Sequence, residues 1–213
     1  MYTIINDNIS SVIAGTNRYR DIAPYLTLQE LFRTGSILEN GNYKTTYRKY
    51  WQLNAARLSD EYCEHYFRIL EKYRNRDVKN IGDIVKDLYE VYSNKNDQKT
   101  VQFSFATKLL HSIDTTRPIY DSLVADFYFL PQIKPTWDFK KKLTAYLKAY
   151  DFLRTEHQRV LNCNILSQPI TKFREHFALP ETYTDQKIID TLLWKFTTLL
   201  RGGAIMEGKI KYS

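Results

Sequence analysis

Three side chains able to move protons or hold charge fall within one short stretch: Lys108, His111 and Asp121, an amine, an imidazole and a carboxylate. Asp121 is the most telling of them. It follows Pro118-Ile119-Tyr120 and precedes Ser122-Leu123-Val124. Pro118 bars a helical state at Arg117 and fixes an extended approach. Asp121 is then placed as the N-cap of a helix whose apolar face is Leu123, Val124 and Phe127. A carboxylate in that position sits beside free backbone amides and the positive end of the helix dipole, which keep it ionised and fixed. Such a group can activate water or steady a developing positive charge. The same pattern describes an ordinary structural cap, and both readings stay open.

The elements that must position these residues can be read on either side. Phe103, Ala106, Leu109, Leu110 and Ile113 recur at helical spacing, which predicts a helix over Val101–Ile113 carrying Lys108 and His111. Asp114, Thr115 and Thr116 break it, so a short turn folds that helix back towards Asp121. Upstream, Tyr43 to Leu58 reads as a helix with Tyr43, Tyr47, Tyr50, Trp51 and Ala55 on one side and Lys44, Arg48 and Lys49 interleaved. Cations among rings suit a phosphate backbone with stacked bases. Equally, they suit an amphipathic helix whose rings face a core and whose cations are solvated.

The remaining chain predicts further helices. Thr27-Leu28-Gln29-Glu30 has the form of a capping box for a helix to Thr34, stopped by Gly35. Ser59 and Asn80 cap the next two, the second running through Ile81, Ile84, Val85, Leu88 and Tyr92. The Asp121-capped helix should reach Leu130. Thr136 should cap the longest helix, Trp137 to Asn162, whose Lys140, Lys141, Lys142 and Lys148 form either a solvated face or a phosphate contact. A short helix from Pro169 to Phe177 and a last one from Asp185 to Leu200, capped by Thr184 and ended by Gly202-Gly203, complete the set. Residues 1–26 read as irregular, with a short strand over Met1–Ile5 beside a small hairpin over 204–212.

Composition bounds the rest. The chain has 213 residues, 43% hydrophobic, with only 7 Gly and 6 Pro. Scarce turn formers and long periodic segments predict a mostly α, multi-helix single domain over 1–213. It can be divided into two helical lobes, 1–58 plus 136–213 and 59–135, with a cleft near Asp121. The net charge of +7 and the 17 tyrosines suit an anionic partner such as nucleic acid. Cys63 and Cys163 are far apart, no signal peptide opens the chain and no apolar run reaches the length of a membrane span. These features predict free, buried thiols, a cytoplasmic location and no membrane partner. The four histidines are scattered and no Cys/His cluster has zinc spacing, so neither metal nor cofactor is expected.

The stretch Phe103–Val124 resembles a segment of helix-hairpin-helix DNA glycosylase-like proteins. Phe105-Ala106-Thr107-Lys108-Leu109-Leu110-His111 is similar to the helix before that superfamily's acidic element, and Pro118-Ile119-Tyr120-Asp121-Ser122-Leu123-Val124 to the element itself. The wording is closer to divergent members than to the familiar repair enzymes. The resemblance covers about 22 of 213 residues. It implies a helical fold of two lobes, DNA as partner and base excision with Asp121 as the essential acid. His111 would orient the base or donate a proton. Lys108, Arg117, Lys44, Arg48 and Lys49 would contact phosphates, with Tyr120, Ser122, Tyr50 and Trp51 at the bound nucleotide. Two features depart from the pattern. Asn94 to Thr100 lacks the Gly-x-Gly turn that grips a phosphate, and no lysine stands about 18 positions before Asp121, where bifunctional members keep a Schiff-base amine. Lys99 and Lys108 are 22 and 13 positions before it. The implied activity is therefore monofunctional excision. A catalytically silent nucleic-acid-binding module and a helical protein-interaction domain are the alternatives.

Overall fold

The computed structural model describes residues 2–78, 80–94, 96 and 98–205. Among them every regular element is helical. In chain order these are α1 (Thr3–Asp7), α2 (Ile9–Gly15), a π-helical turn (Arg18–Ile22), α3 (Ala23–Thr34), α4 (Gly41–Tyr50), α5 (Asp60–Tyr73), α6 (Ile81–Leu88), α7 (Phe103–Ile113), α8 (Ser122–Phe127), α9 (Phe139–Asn162), α10 (Ser167–Phe177) and α11 (Asp185–Arg201). The chain is mostly α, as its periodicity predicts.

Four expected caps form because their chemistry is local. Ser59, Asn80, Asp121 and Thr184 accept hydrogen bonds from the backbone N–H groups of Tyr62, Gly82, Val124 and Lys187. Other boundaries differ. Ile5, Ile9 and Val12 are buried side chains of α1 and α2, so where a strand was expected over Met1–Ile5 the described residues from Thr3 onward are helical. The hairpin proposed over 204–212 lies largely outside the described residues. Pro24 occupies the first turn of α3, which leaves Thr27 inside the helix rather than at its cap. Asp138, not Thr136, serves the start of α9, accepting the Lys141 N–H at 2.8 Å. The segment after Tyr50 is turn, not helix, with Gln52 and Arg57 at φ of 60° and 53°.

The chain divides into two compact units. The first contains Met1–Arg18, Thr115–Gln132 and Tyr150–Ser213; the second contains Tyr19–Asp114 and Ile133–Ala149. Residues 19–58 therefore group with 59–114, unlike the expected lobes, and α9 gives its beginning to one unit and its remainder to the other.

In the first unit α8, α10, α1 and α2 pack around α11. Ile188, Ile189, Leu192, Leu193 and Phe196 are fully buried along it. Gly203, at φ +70°, turns the chain just beyond its end, a conformation that glycine adopts without steric cost. In the second unit α3 packs on α4, and α5, α6 and α7 pack on one another. Its core is aromatic: Tyr43, Tyr47, Tyr62, Tyr66, Phe67 and Phe103 are at most 1% exposed. The Tyr47 and Tyr66 hydroxyls share a hydrogen bond of 2.7 Å, and Tyr66 donates to the Phe105 carbonyl at 2.9 Å. Cys63 is buried as expected; Cys163, beyond the end of α9, is exposed because the chain turns there onto the surface.

Candidate functional site

The first unit holds Asp121, Arg117, Tyr120 and Ser122. Pro118 and Ile119 are buried, Tyr120 is half-buried, Asp121 is half-buried with an extended backbone, and Ser122 is exposed as the first residue of α8. Asp121 Oδ1 accepts the Val124 N–H at 2.9 Å. Its second oxygen, Oδ2, has no hydrogen-bond partner among the described residues. The carboxylate is thus fixed by one oxygen and available at the other.

The approach to Asp121 is held by a buried acid that periodicity did not flag. Asp190 on α11 is 3% exposed, and its Oδ1 accepts the Ile119 N–H at 3.3 Å. On the other side, the Tyr150 hydroxyl donates to the Pro118 carbonyl at 3.2 Å. The backbone of Pro118-Ile119 is therefore pinned from both sides just before the candidate acid.

Asp190 belongs to a small polar cluster within the same unit. Gln186, one turn earlier on α11, lies with Nε2 at 2.7 Å from His157 Nδ1 and 3.4 Å from Asp190 Oδ2. His157 Nδ1 is 4.0 Å from Asp190 Oδ1, and its Nε2 is buried with no hydrogen-bond partner among the described residues. Burial pushes the Asp190 carboxyl up to about 7, outweighing the opposing pull of Lys187, the Ile119 N–H and Gln186; the charge of Asp121 adds to the rise. Burial likewise drives the His157 imidazole down to about 4, against the Gln186 hydrogen bond and the Glu156 charge. Burial thus favours the neutral form of each group, the imidazole of His157 and the protonated carboxyl of Asp190. The sequence cue was present, since Gln186, Asp190 and Lys187 stand on a helix too apolar to have a wholly solvated face. A charged residue between leucines is ordinarily read as that face.

The second unit holds the other predicted residues: His111, Lys108, Lys44, Arg48, Lys49, Tyr50 and Trp51. Four of them meet. His111 is completely buried, and its Nε2 lies 2.9 Å from the Tyr25 hydroxyl. Trp51, 6% exposed, packs edge-on against His111 and Tyr25 at 6.3 Å and against Tyr50 at 4.6 Å. Lys108 donates to the Trp51 carbonyl at 3.3 Å and lies 4.8 Å from the Phe105 ring centre. Tyr50 donates to the Asp21 carbonyl at 3.3 Å. Trp51 and His111 are thus both buried within one cluster of rings.

The α4 cations are partly neutralised. Lys44 pairs with Glu64 at 3.3 Å, and Arg48 pairs with Asp60 at 3.5 Å while donating to Asn54 at 2.8 Å. Lys49 is exposed. Among the described residues no group of three His, Cys, Asp or Glu side chains is arranged to hold a metal, and no helix is long and apolar enough to cross a membrane. Comparison of the chain with protein-family models, curated proteins and solved structures gave no match.

Proposed function

We propose that this chain is a DNA-binding protein of DNA glycosylase-like type and that Asp121 acts as the acid of monofunctional base excision. The observation that carries the reading is the state of Asp121: Oδ1 tied to the α8 N-terminus, Oδ2 open, and the preceding backbone clamped by Asp190 and Tyr150. A carboxylate so held pays little reorganisation when charge develops near it. In this reading a nucleotide leaves the base stack, because a stacked base is out of reach. Oδ2 then steadies positive charge on the sugar as the glycosidic bond lengthens, and orients the water that replaces the base. Water adds across the bond, giving free base and an abasic sugar. Arg117 and the net charge of +7 favour an anionic strand nearby.

Asp121→Asn is the test. The amide still accepts the Val124 N–H, so the cap survives, but it cannot carry negative charge. Base release should fall by at least about a hundredfold, the scale of one lost charge-stabilising group, with DNA affinity equal or higher. Binding to duplex and single-stranded DNA across salt concentrations, followed by an abasic-site assay, measures both. Salt-sensitive binding with no abasic product on any damaged base tested favours the silent module, in which Asp121 only caps. Unchanged release in the variant ends the catalytic proposal.

A further inference from the structure

The second unit carries a surface in which rings and cations alternate, away from the helix where the sequence suggested one. Lys99 Nζ lies 5.9 Å from the Tyr89 ring centre and 5.8 Å from that of Tyr92. Tyr92 is 46% exposed. Tyr89, just after α6, packs at a tilt against Phe139 at 4.2 Å, and Phe139 opens α9. From there Lys140 and Lys141 project, both exposed, with Lys141 Nζ 4.6 Å from the Trp137 ring centre. Lys148 follows two turns after Lys141 on the same side of the helix.

The charges here differ in kind from those of α4. Lys99, Lys140, Lys141 and Lys148 make no ion pair with any carboxylate among the described residues. Asp138, the acid nearest to Lys140 and Lys141 in sequence, is occupied by the Lys141 backbone N–H at 2.8 Å, and Asp151, the acid nearest to Lys148, pairs with Arg154 at 3.4 Å. On α4, Lys44 and Arg48 already face Glu64 and Asp60. A cation with its own carboxylate displaces few counterions from a polyanion. A cation without one releases them on binding, and that release drives association.

We infer that this face, from Tyr92 and Lys99 across Tyr89 and Phe139 to Lys140 and Lys141, is the main nucleic-acid-binding surface of the second unit and takes a single strand. The inference rests on the reading of the chain as a nucleic-acid binder. Lysines hold successive phosphates. Tyr92 and Trp137, each with a lysine against its ring, offer platforms on which unpaired bases stack. A duplex would present phosphates but no open base faces, so the rings favour the single strand. An anionic membrane or an acidic protein would use the lysines and leave the rings without a role.

The test compares wild type with two charge variants by anisotropy of a labelled single-stranded oligonucleotide at several salt concentrations. Lys99→Glu/Lys140→Glu/Lys141→Glu should weaken binding at least about tenfold and lower the salt slope by about 2, near 0.7 per lost phosphate contact. Lys44→Gln/Arg48→Gln/Lys49→Gln should change affinity by no more than about twofold, because two of its three cations are already paired. Tyr92→Ala should lower affinity with the slope unchanged. Lys49, Tyr92, Lys99, Lys140 and Lys141 are exposed and Lys44 and Arg48 half-buried, and circular dichroism checks that helix content is kept in every variant. Equal loss in both charge variants overturns the assignment, as does wild-type binding that the first variant leaves intact; either leaves the nucleic-acid reading standing. Failure of the wild type to bind any oligonucleotide overturns both. Binding to phosphatidylserine vesicles that the first variant abolishes, without oligonucleotide binding, reassigns the face to a membrane.

Discussion

The two units are each built around one nearly enclosed helix, and the two helices are enclosed differently. In the second unit α7 buries Phe103, Phe105, Ala106, Leu109 and Leu110 with only Thr107 and His111 as polar companions, in a unit whose Tyr43, Tyr47, Tyr66 and Phe67 rings meet tilted and edge-on. In the first unit α11 buries as many apolar side chains, but Gln186, Lys187, Asp190 and Lys195 go inside with them. Aromatic burial is insensitive to pH and is felt as volume. Buried ionisable groups are felt as proton affinity and as hydrogen bonds that must be made. The first unit, which carries the candidate acid, accepts the more demanding interior.

The contrast can be broken most forcefully in the aromatic unit. Phe67→Ala removes a ring that touches Tyr43, Tyr47 and Tyr66 and is 1% exposed, so it should cost about 3–5 kcal/mol in urea unfolding, equally at pH 5 and pH 7. A strong pH dependence of that loss would mean the second unit is not governed by packing.

Asp190→Asn sharpens the other side. His157, held down to about 4, contributes stability that is present above its ordinary value of 6.5 and is lost as pH falls towards 4. Asp190, held up to about 7, works in the opposite sense: its contribution is present near pH 4 and is lost as pH rises to 7. In the wild type the two slopes oppose each other across the same window, and stability should be nearly flat. The Asn variant keeps an acceptor for the Ile119 N–H but cannot titrate, so the imidazole slope stands alone: stability should fall by on the order of 3 kcal/mol between pH 6.5 and pH 4. Unfolding midpoints across that range decide it, and a flat profile in the variant would show that His157 does not resist protonation.

The smallest effect has the opposite sign. The Tyr62 hydroxyl is buried with no hydrogen-bond partner among the described residues. Tyr62→Phe keeps the ring and removes an unsatisfied group, so it should be neutral or stabilising by up to about 1 kcal/mol. A loss greater than about 1 kcal/mol would mean that the hydroxyl has an acceptor.

These particulars also mark what could be read in the residues alone. Caps such as Ser59, Asp121 and Thr184 are legible because one side chain satisfies an N–H two or three residues ahead, with no tertiary structure required. Helices α5 and α7 are legible because their apolar spacing is long and regular. Helices α1 and α2 were obscured by Asn6, Asp7, Asn8, Ser10 and Ser11, which look like loop residues until Ile5, Ile9 and Val12 have something to pack on. The end of α4 was hidden because Gln52 and Arg57 take left-handed conformations that no glycine announced. At the candidate site, Asp121 and its approach were visible, but Asp190, which secures that approach from 71 positions away, was not. Local spacing carries no information about a partner so distant. The surface assigned to the segment after α6 and the start of α9 was hidden for the same reason, since Lys99 and Lys141 look alike in sequence to Lys44 and Arg48 and differ only in whether a carboxylate comes to meet them.

The unequal placement of the two thiols has a practical side. Cys63 is closed within the aromatic core, and burial raises its thiol above the ordinary range, whereas Cys163 stands in solvent where α9 ends. The native chain therefore comes with a single addressable handle: a maleimide dye would attach at Cys163 and spare Cys63, giving a reporter on the first unit that needs no engineered residue.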